Sequence, residues 1–132
     1  MESVIRRKVC QIGCGAIGKV IARAIDEAQA GACQLRGLWD CDKGHSQRLA
    51  RELQYSPQIF SSFENLLHSD GDLVIESASQ EALSQYGEQI LMAGKDLMVM
   101  SIGALVDPML LQRLNRAALQ TGRKIYLPSG AL

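Results

Sequence analysis

Three glycines and one aspartate form the pattern in this sequence that could do chemistry. Gly13, Gly15 and Gly18 lie between the apolar segment KVCQI and a segment with helical spacing, and Asp40 stands 22 residues after Gly18. The spacing G-x-G-x-x-G between a strand and a helix, with an acid about 20 residues further on, is typical of dinucleotide binding. The predicted chemistry is pyrophosphate bound at a helix N-terminus and ribose hydroxyls bound by a carboxylate.

Each glycine of this loop has a predicted task. Gly13 would permit a tight turn off the strand, Gly15 would let the pyrophosphate approach the backbone, and Gly18 would let the helix pack close to the sheet. The alternative is a structural turn that binds nothing. A methyltransferase that binds S-adenosylmethionine also has a glycine-rich first loop, but the spacing here fits it less well. The strand, the helix and the acid together favour the dinucleotide.

Asp40 bears on which dinucleotide would bind. A carboxylate accepts hydrogen bonds from both ribose hydroxyls and repels a 2′-phosphate, so the sequence favours NAD over NADP. Lys43 and Arg48 follow closely and could contact a phosphate, which keeps NADP as the alternative. Asp40 could instead cap the next helix, but Asp42 is better placed for that task, and we expect Asp40 to be free for the ribose.

Short apolar segments alternate with amphipathic ones along the whole chain. The strands are predicted over 8–13, 34–40, 58–62, 72–77, 96–101 and 124–128, and the helices over 16–28, 43–53, 62–69, 80–94 and 108–121. Strict alternation with apolar strands predicts an α/β fold, a doubly wound parallel six-stranded sheet of the Rossmann type. We expect a single dinucleotide-binding domain over residues 1–132.

Several residues are predicted to cap the N-termini of these helices, and others to form the apolar side of the first helix. Asp42, Ser79 and Asp107 have cap positions, Pro108 follows Asp107, and Ser61 with Glu64 has the spacing of a capping box. The first helix is predicted from apolar residues at helical spacing, namely Ile17, Val20, Ile21, Ala24, Ile25 and Ala28.

Composition excludes several classes of protein. The 14 basic residues balance the 14 acidic ones, which argues against nucleic-acid binding. No apolar segment is long enough for a membrane span, and MESVIRRKV lacks the apolar core of a signal peptide, so we expect a cytoplasmic protein. The four cysteines and two histidines match no zinc pattern, and no metal is expected.

The ends of the later strands carry small and polar residues but no evident general base. ESASQEA, MSIGALVD and LPSGAL should meet near the glycine loop, because the carboxyl ends of parallel strands share one edge of the sheet. His45 and His68 fall on polar helices and are expected to be solvated. Glu76 ends a buried strand and could be a hydrogen-bonded structural acid or a second contact to a ribose.

Four longer segments carry a resemblance to a known family. GCGAIGKVIARAID, LVIESASQEALSQYG, AGKDLMVMSIGAL and TGRKIYLPSGA together resemble the N-terminal NAD(P)-binding domain of the L-aspartate dehydrogenases. The resemblance implies an oxidoreductase that converts L-aspartate to iminoaspartate with hydride transfer to NAD or NADP. Iminoaspartate then hydrolyses to oxaloacetate and ammonia or enters NAD biosynthesis. The cofactor-binding positions that the resemblance implies are Gly13, Gly15, Ala16, Ile17, Gly18, Asp40, Ala78, Ser79, Ile102, Gly103, Ala104 and Ala131.

The resemblance also implies what this chain lacks. The family continues into a second domain with the catalytic histidine, the substrate contacts and the oligomer interface, whereas this sequence stops at Leu132. We therefore expect no catalytic residue in this chain, no turnover by it alone, and L-aspartate binding only with that domain. The alternatives are a stand-alone NAD-binding module, or the first domain of another amino-acid or semialdehyde dehydrogenase such as homoserine dehydrogenase. A homodimer through an apolar patch of 102–106 and 127–132 is a further hypothesis.

Overall fold

The computed structural model describes residues 7–27 and 32–128. Strands and helices alternate along this part of the chain: β1 (Arg7–Ile12), α1 (Ala16–Asp26), β2 (Cys33–Trp39), α2 (Lys43–Glu52), β3 (Gln58–Ile59), α3 (Phe63–Leu67), β4 (Leu73–Glu76), α4 (Gln80–Met92), β5 (Asp96–Val99), a 3-10 turn (Ile102–Val106), α5 (Pro108–Thr121) and β6 (Ile125–Tyr126). The predicted order of elements is confirmed. β3 and β6 are shorter than predicted, with two residues each.

Within the described residues, six strands form one sheet in the order β3-β2-β1-β4-β5-β6, and every neighbouring pair is parallel. The predicted parallel Rossmann sheet is therefore confirmed. The direction in which successive strands are added reverses between β1 and β4. In open parallel sheets, ligands bind outside the carboxyl ends of the strands at such a reversal. The end of β1 is where the glycine loop begins.

Helices cover both faces of the sheet. Side chains on one face of β1 and β4 pack with α1, as Val9 and Ile75 do with Ile25. Their neighbours in sequence, Cys10 and Val74, point to the other face, where they belong to one core cluster with residues of α3, α4 and α5. Successive side chains of a strand alternate between faces, so each strand contributes to both layers. The doubly wound arrangement is confirmed.

A β-bulge at Arg36 changes which way the end of β2 faces. Val9 pairs with Leu35 and the next residue of β1 pairs with Gly37, so Arg36 is the extra residue. After the bulge, Leu38 packs on the α2 side and Trp39 on the side of α3. A Cβ at Gly37 would overlap the ring of Phe60, which makes glycine necessary there. The bulge thereby sets the orientation of the chain just before Asp40.

The amino ends of the strands are joined by a charged network. The Arg7 guanidinium donates to Asp96 at 2.6 Å and to Asp72 at 3.3 Å, and the Lys124 amide donates to Asp96 at 2.8 Å. Burial alone would raise the pKa of Asp96, but these donors and Arg123 outweigh it and hold that pKa below its usual value. The network connects β1, β5 and β6 at the edge of the sheet opposite to the glycine loop.

Three predicted helix starts are confirmed. The side chains of Asp42, Ser79 and Asp107 accept backbone N–H groups of the first turns of α2, α4 and α5, at 2.9, 3.0 and 3.0 Å respectively. Pro108 occupies the first turn of α5. Caps of this kind satisfy N–H groups that have no partner within the helix.

The predicted capping box at Ser61 is wrong by one residue. Ser62 is the cap of α3 and accepts the Asn65 amide at 3.2 Å. The Ser61 hydroxyl instead accepts the Asn65 side chain at 2.6 Å. The helix starts at Phe63, whose ring is buried in the core, so packing of this ring fixes the start one residue later than the spacing suggested.

Candidate functional site

The glycine loop has the geometry that the motif predicts. Gly13 has φ of +94°, a conformation that side chains disfavour, and a Cβ there would lie 2.7 Å from backbone atoms of Ala78. A Cβ at Gly18 would overlap the carbonyl oxygen of Gly13. The loop therefore packs against the end of β4 on one side and against its own helix on the other, and larger residues would separate these segments.

The start of α1 differs from the starts of the other α-helices in the described part of the chain. Asp42, Ser62, Ser79 and Asp107 cap those helices with their side chains, whereas the N-cap residue of α1 is Gly15, which has no side chain. The first-turn N–H groups, with their positive partial charge, are left for another acceptor. An anion such as a pyrophosphate is the acceptor that this geometry suits.

Space outside the loop is open where the pyrophosphate would approach. A Cβ built on Gly15 would meet no atom of the described residues within 4 Å. Ala16 and Ile17 are exposed beside it. The absence of a side chain at Gly15 therefore leaves the backbone accessible from solvent.

The buried face of α1 is not the face that the apolar spacing predicted. Ile17 and Val20, which belong to the predicted apolar pattern, are 62% and 69% exposed. The residues of α1 that are buried are Gly18, Ala22 and Ile25. Because Gly18 lies against the loop, the neighbouring Ile17 is left at the open carboxyl edge of the sheet.

Gln11 supports the loop from beneath and was missed by the sequence reasoning. It is fully buried in β1, and its Nε2 donates to the carbonyl oxygens of Gly13 at 2.9 Å and Gly18 at 2.8 Å. Its Oε1 has no hydrogen-bond partner in the described part of the chain. A glutamine within an otherwise apolar strand, two residues before the first glycine, was the signal that could have identified it.

Asp40 is attached to the glycine loop. Its Oδ2 accepts the Cys14 amide and its Oδ1 accepts the Asp42 amide, both at 2.8 Å. The expectation that Asp42 and not Asp40 caps α2 is confirmed, but Asp40 is not without partners, because two backbone N–H groups converge on it. A carboxylate can accept about four hydrogen bonds. Two acceptor positions thus remain for the two hydroxyls of a ribose, and the side chain is 11% exposed.

Two side chains next to Asp40 have surroundings that the sequence did not indicate. His45, expected to be solvated, is 43% exposed, and its Nδ1 lies 3.6 Å from Asp40 Oδ2 while its Nε2 lies 3.6 Å from Asp42 Oδ2. The thiol of Cys14 is buried, and burial together with the charge of Asp40 raises its pKa to about 12. Cys14 is therefore held as a neutral thiol beside the carboxylate.

A crevice of about 180 Å³ opens between the ends of β1, β2 and β4. It brings together four of the predicted site residues, Gly13, Asp40, Ala78 and Ser79. The sequence reasoning did not identify its remaining walls, which are Ile12, Trp39, Cys41, Glu81, Ala82, Gln85 and Tyr86.

Aromatic rings form part of the crevice wall. The rings of Trp39 and Tyr86 meet edge to face with centroids 5.3 Å apart, and Tyr86 also packs on Phe63 at 4.2 Å. Ala82 and Tyr86 follow Ser79 by three and seven residues, so they share a face of α4. That spacing was the signal that could have predicted this wall.

The predicted site residues after β5 lie in the 3-10 turn and do not line this crevice. Ile102 is half-buried and Gly103 is exposed, whereas Ala104 is 8% exposed and its methyl group belongs to the core. A Cβ at Gly103 would overlap the side-chain amide of Gln80. Ala131, the last of the predicted positions, lies outside the described residues.

Glu76 is a hydrogen-bonded structural acid, which decides between the two alternatives left open by the sequence. It is 1% exposed and accepts hydrogen bonds from the Ala78, Ser79 and Ser101 amides and from the Ser101 hydroxyl. These donors come from the segments that follow β4 and β5. The carboxylate therefore lies beneath the surface that the cofactor would contact.

The described residues contain neither a metal centre nor a membrane-spanning helix. Residues 7–27 and 32–128 contain no group of three or more His, Cys, Asp or Glu side chains that could hold a metal ion. In the same part of the chain, none of the helices has the length and apolar character needed to cross a membrane.

Known proteins resemble this chain in sequence over most of its length. It is 46% identical over 126 residues to the L-aspartate dehydrogenase of Methanosarcina barkeri, and 36% identical over 125 residues to that of Methanocaldococcus jannaschii. These matches cover 95% of this chain but 45% and 46% of the two relatives. The chain thus spans about half the length of the curated relatives it matches.

Solved structures share the fold. The WlbA dehydrogenase of Chromobacterium violaceum, solved with NADH and UDP-GlcNAcA, superimposes with a TM-score of 0.80 at 17% identity, over 93% of this chain and 35% of that one. Biliverdin reductase of Synechocystis, solved with biliverdin and NADP+, gives a TM-score of 0.74 at 18% identity, over 91% of this chain and 37% of that one. At these identities the likeness concerns the fold alone.

The glycine loop and most of the remaining chain also match a defined family. Residues 13–128 match the family described as homoserine dehydrogenase, NAD binding domain. The matched range begins at the first glycine of the loop and extends beyond β6. Among the described residues, it covers every strand after β1 and the loops that follow β1 to β5. The chain therefore belongs to this family of NAD-binding domains.

Proposed function

We propose that this chain is the NAD-binding domain of an L-aspartate dehydrogenase. The identity of 34–46% to proteins of that name over nearly the whole chain carries the proposal. The open, uncapped start of α1 beside Asp40 supports it, since this arrangement suits a dinucleotide. The residues proposed to bind the cofactor are Gly13, Gly15, Ala16, Ile17, Gly18, Asp40, Ala78, Ser79, Ile102, Gly103, Ala104 and Ala131.

In this proposal the pyrophosphate binds at the first turn of α1 and the adenosine ribose binds the two remaining acceptor positions of Asp40. The adenine enters the crevice, where the packed rings of Trp39 and Tyr86 form part of the wall. NAD is preferred to NADP, because a 2′-phosphate would meet the carboxylate of Asp40 in a site that is mostly buried. Lys43 and Arg48, both exposed on α2, are the side chains through which NADP could still be accepted.

The reaction proposed for the whole protein is oxidation of L-aspartate to iminoaspartate, with NAD as the hydride acceptor, followed by hydrolysis to oxaloacetate and ammonia. The described residues contribute binding and orientation of the cofactor. We place the catalytic base and the substrate contacts in the half of the relatives that this chain does not match. The free thiols of Cys10, Cys14, Cys33 and Cys41 fit a reducing cytoplasm.

A second candidate follows from the family description, which names homoserine dehydrogenase. The same fold could serve oxidation of a different amino acid or of a semialdehyde, because the substrate is bound outside this domain. The level of identity to the L-aspartate dehydrogenases favours the first candidate. A stand-alone module that binds NAD without catalysis is the third.

The experiment that separates these candidates is a chimera. The matched segment of the Methanosarcina barkeri L-aspartate dehydrogenase is replaced by this chain, and NADH formation is measured with L-aspartate and with homoserine. Turnover of L-aspartate supports the proposal. A folded chimera that binds NADH but oxidises only homoserine, or neither substrate, contradicts it. This chain alone should bind NADH and form none from L-aspartate.

A further inference from the structure

The carboxylate of Glu76 joins two segments at the carboxyl edge of the sheet. Its Oε2 accepts the Ala78 amide at 2.9 Å, the Ser79 amide at 3.1 Å and the Ser101 hydroxyl at 2.7 Å. Its Oε1 accepts the Ser101 amide at 3.0 Å. It forms no ion pair within the described residues, so these donors supply the stabilisation of a charge that is 1% exposed. A buried charge of this kind is costly if any of its partners is removed.

The first of these segments is in direct contact with the glycine loop. The Ser77 hydroxyl donates to the carbonyl oxygens of Ile12 at 2.9 Å and Gly13 at 3.0 Å. Ala78 lies so close to Gly13 that a Cβ on the glycine would be 2.7 Å away. The segment that follows β4 is thus fixed to the pyrophosphate end of the site independently of Glu76.

The second segment is hydrogen-bonded to the carboxylate of Glu76 and is also packed on the core through Ala104. Ser101 directs both its amide and its hydroxyl to the carboxylate, and its carbonyl oxygen accepts the Ala104 amide at 3.1 Å. Ser101 therefore begins the 3-10 turn that carries Ile102 and Gly103. The carboxylate therefore connects this turn with the segment that is fixed to the glycine loop.

We propose that Glu76 is a positioning residue that aligns the 3-10 turn after β5 with the glycine loop, so that the nicotinamide end of NAD is held against Ile102 and Gly103. This inference rests on the proposed function, because it requires that the cofactor extends from the loop to that turn. Glu76 does not touch the cofactor. It acts through Ser101 on the nicotinamide half of the site and leaves the adenosine half at Asp40 unchanged.

Replacing Glu76 by Gln weakens one side of this junction. The single amide oxygen can keep the three donors that now share Oε2, and the NH₂ group then faces the Ser101 amide. Two donors opposed at that distance cannot bond, so the Ser101 amide loses its partner, while the bonds from the Ala78 and Ser79 amides and from the Ser101 hydroxyl remain. The Glu76→Gln variant should therefore weaken the link to the 3-10 turn and spare the link to the segment after β4.

The test compares two ligands on the 132-residue chain. Dissociation constants are measured by calorimetry for NADH and for ADP-ribose, which lacks the nicotinamide. In Glu76→Gln, the Kd for NADH should rise by roughly tenfold or more, the effect of losing one hydrogen bond to a charged group, while that for ADP-ribose changes by less than about twofold. Glu88→Gln is the matched control, because Glu88 lies on α4 and its side chain makes no hydrogen bond or ion pair in the described residues. It should alter neither constant.

Other results separate this inference from the proposed function. Equal losses for both ligands, or no loss for either, would overturn the positioning role alone. If the wild-type chain bound neither ligand, the proposed function would fail and this inference with it. Should Glu76→Gln not fold, Ser101→Ala removes the 2.7 Å bond and keeps the buried carboxylate. Ser101→Ala should show the same selective rise in the Kd for NADH. If Ser101→Ala folds and its Kd for NADH does not rise, the positioning role of Glu76 is contradicted.

Discussion

The amide of Cys14 donates to the carboxylate of Asp40 at 2.8 Å, so the acid that directly follows β2 is hydrogen-bonded to the glycine loop that follows β1. Two strands that are adjacent in the sheet thereby fix the distance between the pyrophosphate position and the ribose position. Binding the cofactor requires little rearrangement of either group. A site organised before binding keeps more of its interaction energy as affinity.

Asp40 should control both the affinity for NAD and the choice between NAD and NADP. Asp40→Ser removes the charged acceptor for the ribose hydroxyls and the repulsion of a 2′-phosphate. We expect a rise of about 10- to 100-fold in the Kd for NADH, from the loss of hydrogen bonds to a charged group, and a smaller change or a gain for NADPH. Calorimetric titration with each cofactor measures both.

The matched control for that variant is Asp42→Ser. It removes the same charge two residues away but keeps a hydroxyl that can cap α2, and the Asp42 side chain is 58% exposed. The ratio of the two dissociation constants should stay at its wild-type value. If Asp40→Ser weakened binding of NADH and NADPH equally, Asp40 would serve only to fix the loop, and no change in either constant would contradict both roles.

Alanine substitutions at Gly15 and Gly18 should have different effects, the first on NADH binding and the second on the stability of the fold. A Cβ on Gly15 enters open space, so Gly15→Ala should keep the wild-type melting temperature. The added methyl group would nevertheless obstruct the pyrophosphate and raise the Kd for NADH by on the order of tenfold. A Cβ on Gly18 overlaps the carbonyl oxygen of Gly13, so Gly18→Ala should lower the free energy of unfolding by about 1–3 kcal/mol. Thermal melts and titrations distinguish the two effects. Equal destabilisation by both variants would contradict the loop geometry.

The rate at which the Cys41 thiol is alkylated should show whether NADH occupies the crevice. It is exposed and lines the crevice, whereas Cys10 and Cys14 are buried and burial raises the pKa of both thiols. Iodoacetamide at pH 8 should therefore modify Cys41 first, and saturating NADH should slow that modification. Cys33, half-buried at the amino end of β2, is the internal control and should react at the same rate with and without NADH. Mass spectrometry of the modified peptides measures each rate, and an unprotected Cys41 would exclude the crevice as the binding site.

Asp96 should make stability depend on pH in acid. Its pKa is lower in the folded chain than in the unfolded one, so its stabilisation is complete above about pH 4 and is lost as the pH falls through the folded value. Asp96→Asn should therefore lower the free energy of unfolding by about 1.5–3 kcal/mol at pH 7, and the difference from wild type should shrink at pH 3. Urea denaturation at the two pH values tests this.

The control for Asp96 is Asp70→Asn. Asp70 pairs with Arg36 on the surface, where hydrogen bonding to that guanidinium lowers its pKa but solvent screens the pair. Its replacement should change stability less at either pH. If the loss of stability caused by Asp96→Asn grew as the pH fell from 7 to 3, the lowered pKa assigned to Asp96 would be contradicted.

The order of strands and helices, the parallel sheet, and the caps Asp42, Ser79 and Asp107 could be predicted because each rests on local signals. Apolar segments of strand length, helical spacing and cap residues are readable without knowing what they contact. The roles of Gly13 and Gly18 could be predicted for the same reason. Both glycines belong to a motif whose geometry is repeated from protein to protein.

Other parts of the site depend on contacts between segments distant in sequence. The bulge at Arg36 is specified by how β2 pairs with β1, and the donors of Glu76 come from two different loops. The bond from Cys14 to Asp40 spans 26 residues, so the sequence showed the acid but not what would hold it. Ile17 and Val20 looked like core residues because the pattern gives spacing and not the rotation of the helix.

The most direct test of the account is calorimetric titration of the 132-residue chain with NADH, with the fluorescence of Trp39 followed in parallel. Trp39 is the only tryptophan of the sequence, and it lines the crevice. We predict saturable binding of one NADH per chain, accompanied by a change in Trp39 emission with the same midpoint. No heat and no change in emission at millimolar NADH would contradict the claim that this crevice and the glycine loop bind the cofactor.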